Sequence, residues 1–143
     1  MGVRPAHRDP VLVTLVLLGG MVGTTGRAWL EDSHPVPTGE WPWATFGINL
    51  AGAFLLGLLL ESLALGGQDQ GWRRRVRLGV GTGALGGFTT YSTFAVETSR
   101  LLASAPLTGL GYGLATVALG LALAWAGTRI SAAVHRRTRE GRA

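Results

Sequence analysis

A chain of 143 residues has the length of one modest globular domain, but a chain 47% hydrophobic and only 15% charged lacks the polar surface a soluble domain needs. It contains no cysteine, which excludes a disulfide framework and a thiolate metal site. The net charge of +5 comes from arginines gathered in tails and loops, with no soluble body to present them to a nucleic acid.

Four windows carry no charge: Pro10 to Gly26, Trp41 to Leu60, Leu78 to Val96 and Leu101 to Thr128. Each is close to the roughly 20 residues that a helix needs to cross a hydrocarbon core of about 30 Å. These windows predict an all-α membrane protein with four transmembrane helices. They form one membrane domain over 1–143, with spans at about 11–30, 43–60, 78–102 and 107–128 and short basic tails. The apolar run Val11 to Val22 follows Arg4 and Arg8 as in a secretory leader, but no A-x-A type cleavage site comes after it, and it reads as the first span.

Gly19, Gly23 and Gly26 give span one a close-packing face, and Arg27 closes it. That arginine either snorkels to the headgroups or makes an electropositive vestibule. The connection from Glu31 to Pro42 contains Pro35, Pro37 and Pro42 and reads as a turn-rich loop. In span two, Asn49 is the one strongly polar side chain, with Thr45 one turn earlier and Gly52 near the same face. An amide in mid-membrane either glues two helices by a hydrogen bond or donates its NH₂ to a passing anion.

The basic run Trp72 to Arg77 is a headgroup-facing connection. Span three then holds Gly81-Thr82-Gly83-Ala84-Leu85-Gly86-Gly87-Phe88-Thr89-Thr90-Tyr91-Ser92-Thr93-Phe94. Four glycines favour a departure from the helix, and the row of hydroxyls and rings after them supplies donors where a lipid-facing helix would carry Leu or Val. Irregular backbone at that depth belongs in the wall of a buried site or pore, so span three is expected to break at this centre. Glu97 follows on the face of Phe94 and either pairs with Arg100 or faces the same site. In span four, Tyr112, Thr116 and Gly120 form one stripe, a polar track unless Thr116 bonds back to its own helix. The tail from Arg129 reads as basic and disordered.

Four spans place the N-terminal tail, the Glu61 to Arg77 loop and the C-terminal tail on one side. That side holds every arginine of the 13 basic residues except Arg27 and Arg100. By the positive-inside rule both termini are cytoplasmic, in a multi-pass protein of the cell membrane.

With these residues in order on separate spans, the chain resembles the Fluc fluoride channels, also called the CrcB family. The resemblance runs from Gly19-Gly20, Gly23 and Arg27 through Thr45, Asn49, Gly52 and Gly57 to the Gly86 to Phe94 motif and the Tyr112 and Thr116 stripe. It implies an antiparallel dimer of four-helix subunits with two fluoride pathways, a channel for passive F⁻ efflux that lowers cytoplasmic fluoride, and no enzymatic activity. It further implies that Asn49, Tyr91, Ser92, Thr93 and Phe94 face the ion. Thr45, Tyr112 and Thr116 would continue the track, Arg27 would line the entrance and Glu97 would stand at the pore end. The backbone carbonyls of Gly86 and Thr89 would hold a structural Na⁺ that is not transported. Tyr91 stands where the family usually has Phe. A chain that inserts both ways should carry balanced arginines. The observed bias therefore points to a fixed orientation and to pairing with an oppositely inserted homologue rather than an identical copy. Two other readings compete. A small four-span multidrug exporter would need a carboxylate within a span, and Glu97 at a span end is the sole candidate. A non-transporting membrane assembly subunit would leave the hydroxyl-rich motif without a purpose. The pathway Gly81-x-Gly83-x-x-Gly86 has no strand-turn-helix context and is not a nucleotide loop.

Overall fold

A computed structural model describes residues 5–141. Met1–Arg4, Arg142 and Ala143 lie outside the described residues, and with them two of the tail arginines counted above. Among the described residues the structure is helical, with no strand. A 3₁₀ turn at Ala6–Arg8 precedes helices α1 (Pro10–Ser33), α2 (Trp43–Leu65) and α3 (Gly71–Val76). The third segment is composite: a π-helical stretch, Arg77–Leu85, runs into the single turn α4 (Gly86–Phe88), and α5 (Tyr91–Ser104) resumes after an interruption. The chain ends with α6 (Pro106–Glu140).

Local chemistry sets these starts. Asp9 caps α1, its carboxylate accepting from the Val11 N–H at 3.0 Å, and proline occupies the first turn of both α1 and α6, where a missing N–H costs nothing. By length and composition, α1, α2 and α6 are each long and apolar enough to cross a membrane. The fourth expected crossing has no such helix of its own, since its length is divided at Thr89 and Thr90.

α1 and α2 run on past Leu30 and Leu60, to Ser33 and Leu65, because nothing in Glu61 to Leu65 or Glu31 to Ser33 stops a helix before Gly66 and Pro35. Two expectations are corrected. The tail from Arg129 is helical to Glu140, not disordered: Ala132, Ala133 and the arginines favour helix, and no Gly or Pro intervenes before Gly141. At 35 residues, α6 reaches about 52 Å and outruns the bilayer. The glycines of the third segment do not themselves break it. Gly81 and Gly83 lie in the π-helical turns and Gly86 and Gly87 in α4, all at negative φ, and the chain becomes extended only at Thr89 (φ −75°, ψ 154°) and Thr90 (φ −142°, ψ 122°).

What the glycines do is shown by their neighbours. α1 packs along the π-helical stretch and α4, while α2 packs along α6. A Cβ added at Gly19 would overlap the Gly79 carbonyl, and one at Gly23 the Ala84 carbonyl. On the other seam, Gly57 meets the Ala124 carbonyl and Gly127 the Phe54 carbonyl in the same way. Backbones therefore touch directly, the packing that small residues permit between membrane helices. Gly26, expected on the same face as Gly19 and Gly23, has nothing within 4 Å. After the interruption α5 leaves α1 and packs on α6, so the third segment changes partner at its break and ties the two helix pairs together.

The exterior is apolar, with Leu17, Met21, Val22, Leu114 and Leu121 among many large side chains left open on the helix surfaces. The most enclosed side chains include Tyr112 at 0% and Thr45 at 1% exposure, so polar groups are turned inward. On the side of the basic loop, Arg77 and Asp69 form a fork of 3.0 and 2.7 Å, and this hydrogen-bonded guanidinium holds the Asp69 carboxyl below the usual carboxylate range.

Replacing Gly23 by Val drives a side chain into the Ala84 carbonyl and is expected to cost about 3 kcal/mol. Gly26→Ala is expected to be near neutral. Thermal unfolding of the detergent-solubilised variants measures both.

Candidate functional site

The break is held open by one side chain. In an uninterrupted α-helix the Thr90 N–H would donate to the Gly86 carbonyl and the Thr93 N–H to the Thr89 carbonyl. Here the Thr90 N–H donates instead to Asn49 Oδ1 at 2.9 Å, and Asn49 Nδ2 returns a bond to the Thr90 carbonyl at 3.0 Å. The Thr93 N–H goes to Thr90 Oγ1 at 3.1 Å, which makes Thr90 the N-cap of α5. Asn49 thus pairs with a whole peptide unit in the manner of a neighbouring strand. Both carbonyls that would have received those N–H groups, Gly86 and Thr89, lose their helical donors. Thr89 fits beneath α2 because Gly52 has no side chain there, and a Cβ at Gly52 would overlap the Thr89 methyl.

Thr90 is the residue that sequence reasoning passed over. Its hydroxyl hydrogen-bonds the hydroxyls of Ser92 at 3.2 Å and Thr93 at 3.1 Å and is itself nearly buried. A signal was present: a threonine at the point where a helix resumes is a favoured N-cap residue.

From this point a line of rings and oxygens runs along α5. Tyr91 and Phe94 have ring centroids 6.1 Å apart, and Phe94 lies 5.5 Å from Tyr112 of α6. Tyr112 also meets Trp41 edge-on at 5.5 Å, which anchors the loop before α2. One turn beyond Phe94 stands Glu97. It does not pair with Arg100, the i+3 neighbour. Thr45 Oγ1 donates to its Oε1 and the Tyr112 hydroxyl to its Oε2, each at 2.8 Å, so both oxygens are satisfied from other helices. Thr116 donates to the carbonyl of Tyr112 at 2.7 Å, the back-bonded alternative considered for it, and contributes its buried oxygen to the same wall.

Beyond Glu97 opens a cavity of about 320 Å³, lined among others by Glu31, Thr45, Thr93, Glu97 and Arg100. Arg27 is absent from this lining. Its Nη1 lies 3.0 Å from Glu31 Oε2 and its Nε donates to the Gly87 carbonyl at 3.3 Å. Both contacts tie it to its neighbours at the edge of the cavity that Glu31 lines.

The structure therefore brings Asn49, Ser92, Thr93, Phe94, Thr45, Glu97, Tyr112 and Thr116 into one connected wall between the break and the cavity. Tyr91 belongs to it by ring contact but is 82% exposed, pointing away from the rest of the chain. Among the described residues no cluster of three or more His, Asp or Glu side chains forms a metal site.

A helical membrane protein whose third segment is broken beside an inward track of hydroxyls, an amide and aromatic edges has the build of a channel for a small polar solute. Comparison with known proteins narrows the class. Residues 14–128 match the family described as CrcB-like protein, Camphor Resistance (CrcB). The chain is 50% identical over 119 residues to a protein of Cutibacterium acnes named fluoride-specific ion channel FluC 1, covering 82% of this chain and 83% of that one. It is 48% identical over 131 residues to fluoride-specific ion channel FluC 2 of Leifsonia xyli subsp. xyli, covering 91% and 90%. A FluC 1 of Streptomyces coelicolor is 39% identical over 115 residues, covering 80% and 73%. The chain belongs to the CrcB family.

Asn49→Leu strips the Thr90 N–H of its acceptor and is expected to cost about 1–3 kcal/mol, read by thermal unfolding. Asn49→Asp keeps the acceptor but sets a carboxylate against the Thr90 carbonyl. That variant is expected to fold and lose ion flux in liposomes.

Proposed function

We propose that this chain is a subunit of a fluoride-specific ion channel in the cell membrane, passing F⁻ passively and so lowering cytoplasmic fluoride. The carrying observation is the Asn49–Thr90 bridge, which opens the third segment beside a wall of neutral donors. Fluoride is small and strongly hydrated, and a pore must replace its water with amide N–H, hydroxyl and positive ring edges. Asn49 has a second amide hydrogen beyond the one given to Thr90. The hydroxyls of Ser92 and Thr93 and the ring edges of Tyr91 and Phe94 follow within one turn of α5. Thr45, Tyr112 and Thr116 continue the oxygen track to Glu97 at its end. Glu97 is held by two hydroxyl donors, which lessens its repulsion of a passing anion. The membrane potential supplies roughly 2.3 kcal/mol per charge per 100 mV, and a negative interior drives the anion outward.

The pore set is not closed within one chain. Tyr91 projects from the subunit, with Ser92 exposed beside it. This supports the antiparallel dimer, in which a second subunit covers the open side. The arginine bias supports a fixed orientation with both termini cytoplasmic and an oppositely inserted homologue as partner. At the centre of the third segment, the carbonyls of Gly86 and Thr89 are among those left without helical donors. They fit the oxygen coordination a hard cation takes. A Na⁺ bound there would supply a fixed positive charge to the subunit interface, and these two residues are the ones that would hold it.

Purified protein in liposomes is expected to release fluoride and not chloride, read with ion-selective electrodes. Phe94→Ile removes a ring edge and is expected to lower that flux at least tenfold. Equal chloride release, or undiminished fluoride flux from Phe94→Ile, would overturn the assignment. For orientation, reporter fusions at the C-terminus of the chain expressed alone are expected to signal from the cytoplasm only.

A further inference from the structure

Arg27 is expected at the pore entrance as an attractive charge, yet its contacts give it other work. Its guanidinium lies between Glu31, one turn onward in α1, and the Gly87 carbonyl of the third segment, at 3.0 and 3.3 Å. From the same helix the Thr24 hydroxyl donates to that carbonyl at 3.4 Å. In an unbroken helix the Gly87 carbonyl would accept from the Tyr91 N–H, a bond that the extended residues Thr89 and Thr90 remove. Gly87 is pressed close to α1: a Cβ there would stand 2.6 Å from the Gly20 carbonyl and 3.0 Å from Thr24 Oγ1. The break strips the carbonyls of Gly86, Gly87, Phe88 and Thr89 of their helical donors, and that of Gly87 is answered by two side chains of α1. Those of Gly86 and Thr89 are the pair proposed above for a cation.

A guanidinium 3.0 Å from a carboxylate presents an approaching ion with a dipole rather than a full charge, and its reach is shorter. The geometry points to Arg27 as a positioning residue for fluoride passage. With Thr24, it fastens the end of the first half of the third segment to α1. That anchor fixes where the Asn49–Thr90 bridge forms and where the rings of Tyr91 and Phe94 begin. Arginine suits the task because its planar fork serves Glu31 and the carbonyl together, which a lysine ammonium on a flexible stem does not reproduce. The inference rests on the fluoride-channel reading above.

The test compares wild type, Arg27→Lys, Arg27→Gln and Thr24→Val in liposomes, with fluoride efflux followed against fluoride concentration and ionic strength. Lysine is expected not to rescue: Arg27→Lys and Arg27→Gln both lose about tenfold in maximal rate. Half-saturating fluoride and salt dependence stay as in wild type. Thr24→Val, which changes no charge, is expected to lose several-fold by the same loss of an anchor. Wild-type flux in Arg27→Lys, together with a loss in Arg27→Gln that deepens at low salt, would overturn the positioning role and restore the steering one. If Arg27→Lys does not elute as folded protein, Thr24→Val decides, and full flux from it overturns the inference. A wild-type protein that releases no fluoride would instead overturn the channel reading itself.

Discussion

A helix can be interrupted inside a membrane only if every backbone group set free finds a partner, because lipid offers none. At Thr89 and Thr90 a few side chains meet much of that demand. Asn49 takes both the N–H and the carbonyl of Thr90, and the Thr90 hydroxyl caps the helix that follows. Gly52 makes room above Thr89. The amide of α2, read alone, is either glue or ion ligand. In the fold it is glue first, and the second N–H that the pairing leaves over is what suits it to an anion. The same diversion of donors that opens the helix also frees the carbonyls suited to a cation.

How far the sequence discloses this differs from residue to residue. The charge-free windows locate the crossings because the bilayer imposes a length that composition alone can report. The break is likewise legible from the crowd of glycines and hydroxyls between Gly81 and Thr93. Its position is not, because glycine permits a departure from helix without requiring one. Gly19, Gly23, Gly57 and Gly127 serve as contact points for other backbones, a use that depends on where α1, α2 and α6 lie.

Glu97 shows the limit most clearly. Spacing along its own helix points to Arg100, but Thr45 and Tyr112, distant in sequence, stand closer in space and satisfy both oxygens. Arg27 is a similar case: its i+4 neighbour Glu31 is visible in the chain, whereas the Gly87 carbonyl it also binds lies sixty residues on. Local pattern identifies which side chains are unusual for a membrane span. Pairing across helices decides what each of them does.

The two glycine seams carry a mechanical consequence. Where α1 lies against the π-helical stretch and α2 against α6, contact is made by backbone atoms, which have no rotamers to change and little slack to give. Each pair therefore moves as a stiff plank. The third segment is joined to one plank before its break and to the other after it, so relative motion of the planks is taken up at Thr89 and Thr90. Among the described residues the two packed pairs are thus joined through Thr89 and Thr90, where the wall of hydroxyls and rings begins.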